Sequence, residues 1–407
     1  MRTRQYLRLV GFECRKAFFN PGMVIFFLVL LLFNGWKIRD NYERKVAQWA
    51  DYELQYTETY EKYSGIITPE KISDLMAVYG PLEAKKNSMS LNYNYDPNAY
   101  IYSEMMDERF YCTLFYTELK YDYLYRNEAY RIKQNALELE KFYESVGNRF
   151  EAAKALRIAE TFSGRFIPAF SDTRGYEVLL NYDYSSMLIL LLSIFAMCGV
   201  FVNERETDMY MLLRTTKNGS GRTVAAKLTA AGLFVLVACG TFYFQDFLSI
   251  YFASSRNEAL HSPVYALRAL ESTPLNMTVG QFFFWSGVVK MLGVLACCTM
   301  LLLISSIFKS TLGAFFTSLA IMLGGVALQE FSGRRVFLRW CNPVELVIFR
   351  DLIWRDVYVN IFGLPVRMYV FVLIGVTVAV AAMICGILFL NCSYHIREGR
   401  RVRNASV

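Results

Sequence analysis

The stretch Met291–Phe308 reads MLGVLACCTMLLLISSIF and contains no charged side chain. A helix rises about 1.5 Å per residue, so this stretch would extend about 27 Å, close to the ~30 Å hydrocarbon core of a bilayer. Of the 407 residues in the chain, 55% are apolar, and they gather into several runs of this kind. The sequence therefore predicts an all-α integral membrane protein.

The apolar runs on either side of this stretch define six predicted transmembrane spans. They cover residues 21–36, 184–202, 228–251, 281–308, 311–329 and 368–392. We expect residues 1–20 to form an amphipathic surface helix and residues 393–407 a basic tail. The connecting segments are 37–183, 203–227, 252–278 and 330–367. The predicted fold is therefore six transmembrane helices with a helical domain inserted between spans 1 and 2.

The inserted segment 37–183 is polar and rich in tyrosine, which we interpret as packing and interfacial residues. It contains one cysteine, Cys112, so we expect no internal disulfide framework. Two stretches, 37–63 and 105–162, are predicted to be helical. In the second, apolar residues recur at spacings of three and four, which predicts a long helix with one apolar stripe. The segment is thus expected to fold as a helical hairpin or small bundle.

Clusters of basic residues indicate the orientation, because Lys and Arg are enriched in cytoplasmic loops. The head, the 203–227 loop and the tail are all basic, and alternation through six spans places them on one side. We expect a bacterial cell-membrane protein with both termini in the cytoplasm and segment 37–183 outside. The 330–367 segment disagrees, since it carries Arg334, Arg335, Arg339, Arg350, Arg355 and Arg367. Placing it inside would leave another basic segment outside, so the six-span prediction stands.

Several functions are disfavoured by missing motifs. The chain has two histidines, His261 and His395, far apart, and no HExxH or GxSxG motif, so we predict no catalytic or metal site. The dipeptide Gly-Lys is absent, which excludes a Walker A phosphate loop. The net charge of +7 is concentrated beside the apolar runs, which suits membrane lipid better than nucleic acid. The chain is therefore expected to be neither an enzyme nor a nucleotide-binding protein.

The loop after span 2 is the most informative segment. Its acidic residues lie in the first turns of a predicted short helix, where the helix dipole favours them, and Arg214 lies near the end. Met209, Leu212 and Leu213 give this helix an apolar side, and Gly219–Gly221 ends it. Such a helix could receive force from a docked motor domain. The alternative is an ordinary solvated loop.

This loop resembles the permease subunits of type-2 ATP-binding-cassette (ABC) exporters, of the Gram-positive kind with a large external domain between spans 1 and 2. The resemblance rests on Phe-x-x-Glu at 201–204, Leu-Leu at 212–213, Thr-Thr at 215–216, Gly-Arg at 221–222 and Lys227. The overall layout of basic surface helix, six spans and a tight turn between spans 4 and 5 is also similar. The Lys217–Arg222 stretch departs from the pattern because it is looser than the family's Gly-Arg turn.

The resemblance implies a role for each of these parts. Residues 204–216 would form a coupling helix seated in a groove of a cytoplasmic ATPase, which would hold the ATP and magnesium. The implied coupling residues are Glu204, Arg205, Glu206, Asp208, Leu212, Leu213, Arg214, Thr215, Thr216 and Arg222. The surface helix, with Arg4, Arg8, Arg15 and Lys16, would pack beside it. A second permease subunit, the same or homologous, would complete a pathway for an amphipathic lipid, peptide or drug.

Asp246 and Lys290 are the two charges that the sequence places at membrane depth, where charges commonly mark a substrate pathway. Both lie near the predicted external ends of spans, and we interpret them as interfacial residues rather than ion ligands. Two other functions stay open. One is a membrane-anchored sensor or assembly factor whose external domain binds a ligand or partner. The other is a membrane enzyme, which would need a cluster of His, Asp or Glu at one interface that the sequence does not show.

Overall fold

The computed structural model describes residues 2–47, 53–91, 117–209, 221–254, 256–331 and 342–405. Helices dominate this part of the chain. They are Arg2–Glu13, Pro21–Ala47, Glu53–Tyr63, Pro69–Leu91, Thr117–Ser145, Arg149–Phe162, Arg174–Leu180, Tyr184–Met197, Gly199–Glu206, Gly221–Ala253, Val279–Ile307, Thr311–Phe331, Val344–Val347, Arg350–Ile353 and Met368–Ala405. A π-helical turn, Cys14–Phe18, extends the first helix, and three short 3₁₀ turns lie at Glu258–His261, Val264–Ala266 and Arg268–Leu270.

Two small antiparallel strand pairs complete the described secondary structure. Gly65–Ile66 pairs with Ala169–Phe170, and Tyr358–Ile361 pairs with Leu364–Arg367. The second pair is a hairpin whose turn places Phe362 and Gly363 at positive φ. It lies in the predicted 330–367 segment, directly before span 6. The apolar runs gave no indication of either pair.

Six described helices are long and apolar enough to cross a membrane. They are Pro21–Lys45, Arg174–Glu206, Gly221–Ala253, Val279–Ile307, Thr311–Gln329 and Met368–Asn391, called spans 1 to 6 from here on. Each overlaps one predicted span. The prediction of an all-α protein with six candidate membrane spans is confirmed in this coarse sense.

The helices of spans 1 and 6 run well past the apolar residues that predicted them. The first continues to Ala47 and the last to Ala405. The sequence placed the boundaries where apolar residues stop. A helix pairs its own backbone groups and can therefore continue from lipid into water, so polarity alone does not end it.

Spans 2, 3 and 4 form the centre of the bundle. In the apolar window of each, 78%, 56% and 56% of the residues are buried, against 17%, 17% and 22% for spans 1, 5 and 6. The short helix Val344–Val347 packs against span 4 at Gly293, where an added Cβ would lie 2.8 Å from the backbone nitrogen of Val347. Only glycine allows this approach, which fixes the segment before span 6 against the bundle.

The prediction of one continuous helix through 105–162 is wrong at residues 146–148, where the chain reverses into a helical hairpin. Gly147 has a φ of 73°, and the Asn148 side chain accepts a 3.2 Å hydrogen bond from the backbone N–H of Glu151, capping the second helix. Residues 105–116 lie outside the described part of the chain. The hairpin or small bundle expected for the whole segment 37–183 stays a prediction.

The two hairpin helices meet along small side chains rather than along the predicted stripe. Ala129, Ala136, Ala152, Ala155 and Ala159 are buried. The outer part of the stripe, Leu139, Phe142 and Val146, is exposed, with Phe142 at 57%. The prediction counted large apolar residues, whereas close helix packing depends on small ones here.

Arg165 joins the end of this hairpin to the segment between spans 3 and 4. Its guanidinium is buried and donates from Nε to Asn276 Oδ1 at 2.8 Å and from Nη2 to the carbonyl of Thr273 at 2.9 Å. The Tyr125 ring stacks on Tyr265 with centroids 4.7 Å apart. The inserted segment and the 252–278 segment therefore pack as one unit.

We expect Arg165→Met to destabilise the protein by about 3 kcal/mol, because several buried acceptors would lose their donor. Thermal unfolding of the purified protein in detergent measures this change. The matched control is Arg131→Met, which removes an exposed arginine from the same hairpin and should leave the unfolding temperature nearly unchanged. Equal unfolding temperatures for the two variants would contradict the role given to Arg165.

Candidate functional site

Four charged side chains meet where the surface helix contacts spans 2 and 3. Glu13 and Lys16 come from the surface helix and its π-helical turn, Glu204 from the last turns of span 2, and Lys227 from the second turn of span 3. Glu13, Glu204 and Lys227 are 4%, 7% and 2% exposed. These four residues are called the ion network below.

Glu204 is at the centre of the ion network. Its Oε1 lies 2.8 Å from Lys16 Nζ, and its Oε2 lies 2.7 Å from Lys227 Nζ. Lys227 Nζ also donates to the carbonyl of Val200 at 2.7 Å and lies 4.8 Å from the centroid of the Phe201 ring. A single carboxylate therefore connects the surface helix, span 2 and span 3.

Helical spacing explains how span 2 presents these groups together. Val200 and Glu204 are four residues apart, so they lie on one face of the helix Gly199–Glu206. That face supplies both the carbonyl and the carboxylate that bind Lys227. The buried ammonium thus has charged and neutral acceptors, as a charge inside a protein requires.

The surface helix is attached to span 3 by further contacts on either side of the ion network. Phe18 stacks on Phe234 with ring centroids 5.0 Å apart, and the Tyr6 hydroxyl lies 2.8 Å from Thr229 Oγ1. The π-helical turn inserts an extra residue into the helical repeat, which rotates the residues after it around the axis. Phe18 and Lys16 reach the bundle from within this turn.

Glu13 adds a second carboxylate to the ion network. Burial raises the pKa of the Glu13 carboxyl, and the nearby Glu204 acts in the same direction, whereas Lys227 and Lys16 lower it. Two carboxyl groups thus lie near two ammonium groups. The ion pairs described in the network are those of Glu204 with Lys16 and Lys227.

The end of span 2 also binds the turn between spans 4 and 5. Glu206 accepts hydrogen bonds from the backbone N–H and from the hydroxyl of Thr311, both at 2.7 Å. Arg205 Nη1 donates to the carbonyl of Phe308 at 3.1 Å. A carboxylate at the first residue of span 5 is favoured by the helix dipole. The last two turns of span 2 therefore contact four other elements.

The structure brings together part of the predicted coupling set. Glu204, Arg205 and Glu206 make the intramolecular contacts described above, Asp208 is exposed with a φ of 54°, and Arg222 is exposed at the start of span 3. Leu212, Leu213, Arg214, Thr215 and Thr216 lie outside the described residues. On the surface helix, Arg4, Arg8, Arg15 and Lys16 are exposed while Val10 and Phe18 are buried, as an amphipathic helix requires.

Sequence reasoning missed Glu13. It lies three residues before Lys16, so the helical repeat places both on neighbouring positions, and this spacing is the signal that could have found it. Asp246 and Lys290 lie away from the ion network, Asp246 toward the far end of span 3 and Lys290 near the middle of span 4. Asp246 is buried and accepts a 2.6 Å hydrogen bond from Asn34 of span 1. Lys290 lies 3.3 Å from Asp183, with 12% of its side chain exposed.

We expect Glu204→Gln to destabilise the protein by about 3 kcal/mol, because it leaves the Lys227 ammonium buried without its carboxylate. Chemical or thermal unfolding in detergent measures the loss. Glu43→Gln is the matched control, since its partner Arg39 and Glu43 itself are 78% and 60% exposed, and an exposed pair contributes about 0–1 kcal/mol. A Glu204→Gln variant as stable as this control would show that the network does not hold these helices.

The described residues contain no group of three or more His, Cys, Asp or Glu side chains arranged to hold a metal ion. The ion network consists of salt bridges and hydrogen bonds between helices. Comparison with known proteins adds no family: no family model matches the chain, and no curated protein is significantly similar to it.

Proposed function

We propose that this chain is the permease subunit of a type-2 ABC exporter in a bacterial cell membrane. The observation that carries the proposal is the position of Glu204. This glutamate belongs to the Phe-x-x-Glu motif that resembles the family's, and it binds lysines of both the surface helix and span 3. A loop that transmits force needs ion pairs of this kind between the helices that it joins and their neighbours. An ordinary solvated loop does not need them.

The proposed mechanism begins at the loop 203–227, on which an ATPase would act. Force on this loop reaches span 2 and span 3 directly because the loop joins them. Through Glu204 and Lys16 it reaches the surface helix, and through Glu206 and Arg205 it reaches the turn between spans 4 and 5. Discrete packed elements that move together are the usual carriers of such a change.

The remaining parts of the proposal follow from the resemblance and the charge distribution. Both termini lie in the cytoplasm, and the 37–183 segment is extracellular. A separate cytoplasmic ATPase binds ATP and magnesium, and a second permease subunit, the same or homologous, pairs with this chain. The cargo is an amphipathic lipid, peptide or drug, and this chain itself catalyses no reaction.

A membrane-anchored sensor or assembly factor is the second candidate. One observation favours it: Leu139, Phe142 and Val146 form an exposed apolar stripe on the hairpin of the inserted segment. Exposed stripes of this kind mark binding surfaces in many proteins. A sensor function, however, would not require the ion network at the opposite end of the bundle.

Co-expression with an ATPase encoded beside this chain discriminates the two functions. The exporter proposal predicts that the two proteins co-purify from detergent and that the permease, in vesicles, changes the ATPase rate. A sensor would purify without the ATPase. Absence of both the complex and the rate change, with a folded permease, would contradict the proposed function.

Lys16→Met tests the transmission step, because it removes the ion pair between the surface helix and Glu204 while leaving Lys227 paired with Glu204. We expect the ATPase to co-purify as before but its stimulation by the permease to fall several-fold, and Lys16→Arg to restore it. Arg15→Met is the matched control, an exposed neighbour on the same turn. Full stimulation in Lys16→Met would show that the ion pair between Lys16 and Glu204 carries no part of the coupling.

A further inference from the structure

A cavity of about 480 Å³ lies between spans 3 and 4, at the end of the bundle opposite the ion network. Its size falls within the range of small-molecule sites. Seven aromatic side chains line it: Tyr182, Tyr243, Phe244, Phe247, Phe282, Phe283 and Phe284. Such a wall suits an apolar chain or ring.

Three charged side chains line the same cavity, Asp246, Lys290 and Arg350. Lys290 Nζ and Arg350 Nη2 approach the two oxygens of one carboxylate, Asp183, at 3.3 and 3.5 Å. Both distances exceed the ~2.7–2.9 Å of a tight charged hydrogen bond, so Asp183 holds neither cation closely. An ammonium has three N–H donors and a guanidinium has five, so donors remain for a further anionic oxygen.

The charged groups of the lining have further partners. The lining carboxylate, Asp246, accepts its 2.6 Å hydrogen bond from Asn34. Arg350 binds Asn181 at 2.9 Å, and its Nε lies 3.3 Å from Asp351. The lining carries two cations and one carboxylate, and Asp183, the carboxylate that both cations approach, is not part of it. The wall of the cavity therefore offers cationic donors to an anion.

The cavity opens sideways, toward the place where lipid chains would lie. Phe244 on span 3 and Phe284 on span 4 line it and are 62% and 68% exposed. Both belong to helices apolar enough to cross a membrane. A molecule could enter between them from the bilayer without first dissolving in water.

We propose that this cavity binds an amphiphile with an anionic, phosphate-type head group. The head group contacts Lys290 and Arg350, and the apolar chain leaves between Phe244 and Phe284. Interpreting the cavity as a cargo site rests on the proposed export function. Binding itself can be measured on the permease without any ATPase.

Gly287→Phe is the sharpest test, because Gly287 lines the cavity and a Cβ added there meets no atom within 4 Å. The first atom of the added side chain therefore meets open space, and we expect the phenyl ring to occupy the cavity. Gly324→Phe is the matched control, a glycine of span 5 with the same open space and no part in the cavity. Unfolding temperatures of both variants should match that of the unchanged protein.

Native mass spectrometry of the full chain in detergent gives the readout, with dioleoyl phosphatidylglycerol, dioleoyl phosphatidylcholine and inorganic phosphate as probes. We expect phosphatidylglycerol to bind more tightly than phosphatidylcholine. Gly287→Phe and Lys290→Gln should each weaken phosphatidylglycerol binding by about tenfold. Lys290→Arg, Gly324→Phe and Lys309→Gln, which removes an exposed lysine from the turn between spans 4 and 5, should not.

Three results would overturn the inference. They are equal binding of the two lipids, undiminished phosphatidylglycerol binding in a folded Gly287→Phe variant, and competition by inorganic phosphate as strong as that by the lipid. Failure of the ATPase to co-purify would contradict the exporter proposal and leave a measured lipid affinity standing. Loss of the lipid site would leave the ATPase pairing standing.

Discussion

The two ion pairs of the Glu204 carboxylate, with Lys16 and with Lys227, hold the surface helix, span 2 and span 3 together. Burying Glu204 and Lys227 is costly, and the cost is offset only when each charge has a partner in good geometry. Here each Glu204 oxygen has its own ammonium within 2.8 Å, and Lys227 has a carbonyl as well. This arrangement fixes the surface helix relative to spans 2 and 3.

The pairing of Glu204 with Lys227 also fixes the rotation of span 2 about its helix axis. With Glu204 facing Lys227, the next residues face the turn between spans 4 and 5, where Glu206 binds Thr311 and Arg205 binds Phe308. Lys227 and Asp246 lie on one unbroken helix, about 28 Å apart along its axis. Span 3 therefore connects the ion network at one end with the aromatic cavity at the other, and a tilt of this helix would alter both.

The sequence was informative where local composition decides the structure. Charge-free runs located six helices, and Glu204 and Lys227 were both noticed within the loop motif. The break at Gly147 and the buried alanines between the two hairpin helices were missed, because the apolar repeat continued through the turn. The cavity was beyond reach, since its lining comes from spans 3 and 4 and from segments far away in the chain. Asp246 and Lys290 were singled out as charges at depth, but their partners Asn34 and Asp183 come from other spans.

A double-mutant cycle on Glu204→Gln and Lys227→Met tests the central claim most directly. The free energy of unfolding in detergent is measured for the unchanged protein, the two single variants and the double variant. We expect strong coupling: the loss of unfolding free energy in the double variant should be smaller than the sum of the two single losses by about 2 kcal/mol or more. Additive losses, agreeing within about 0.5 kcal/mol, would show that the two side chains act independently and would contradict it.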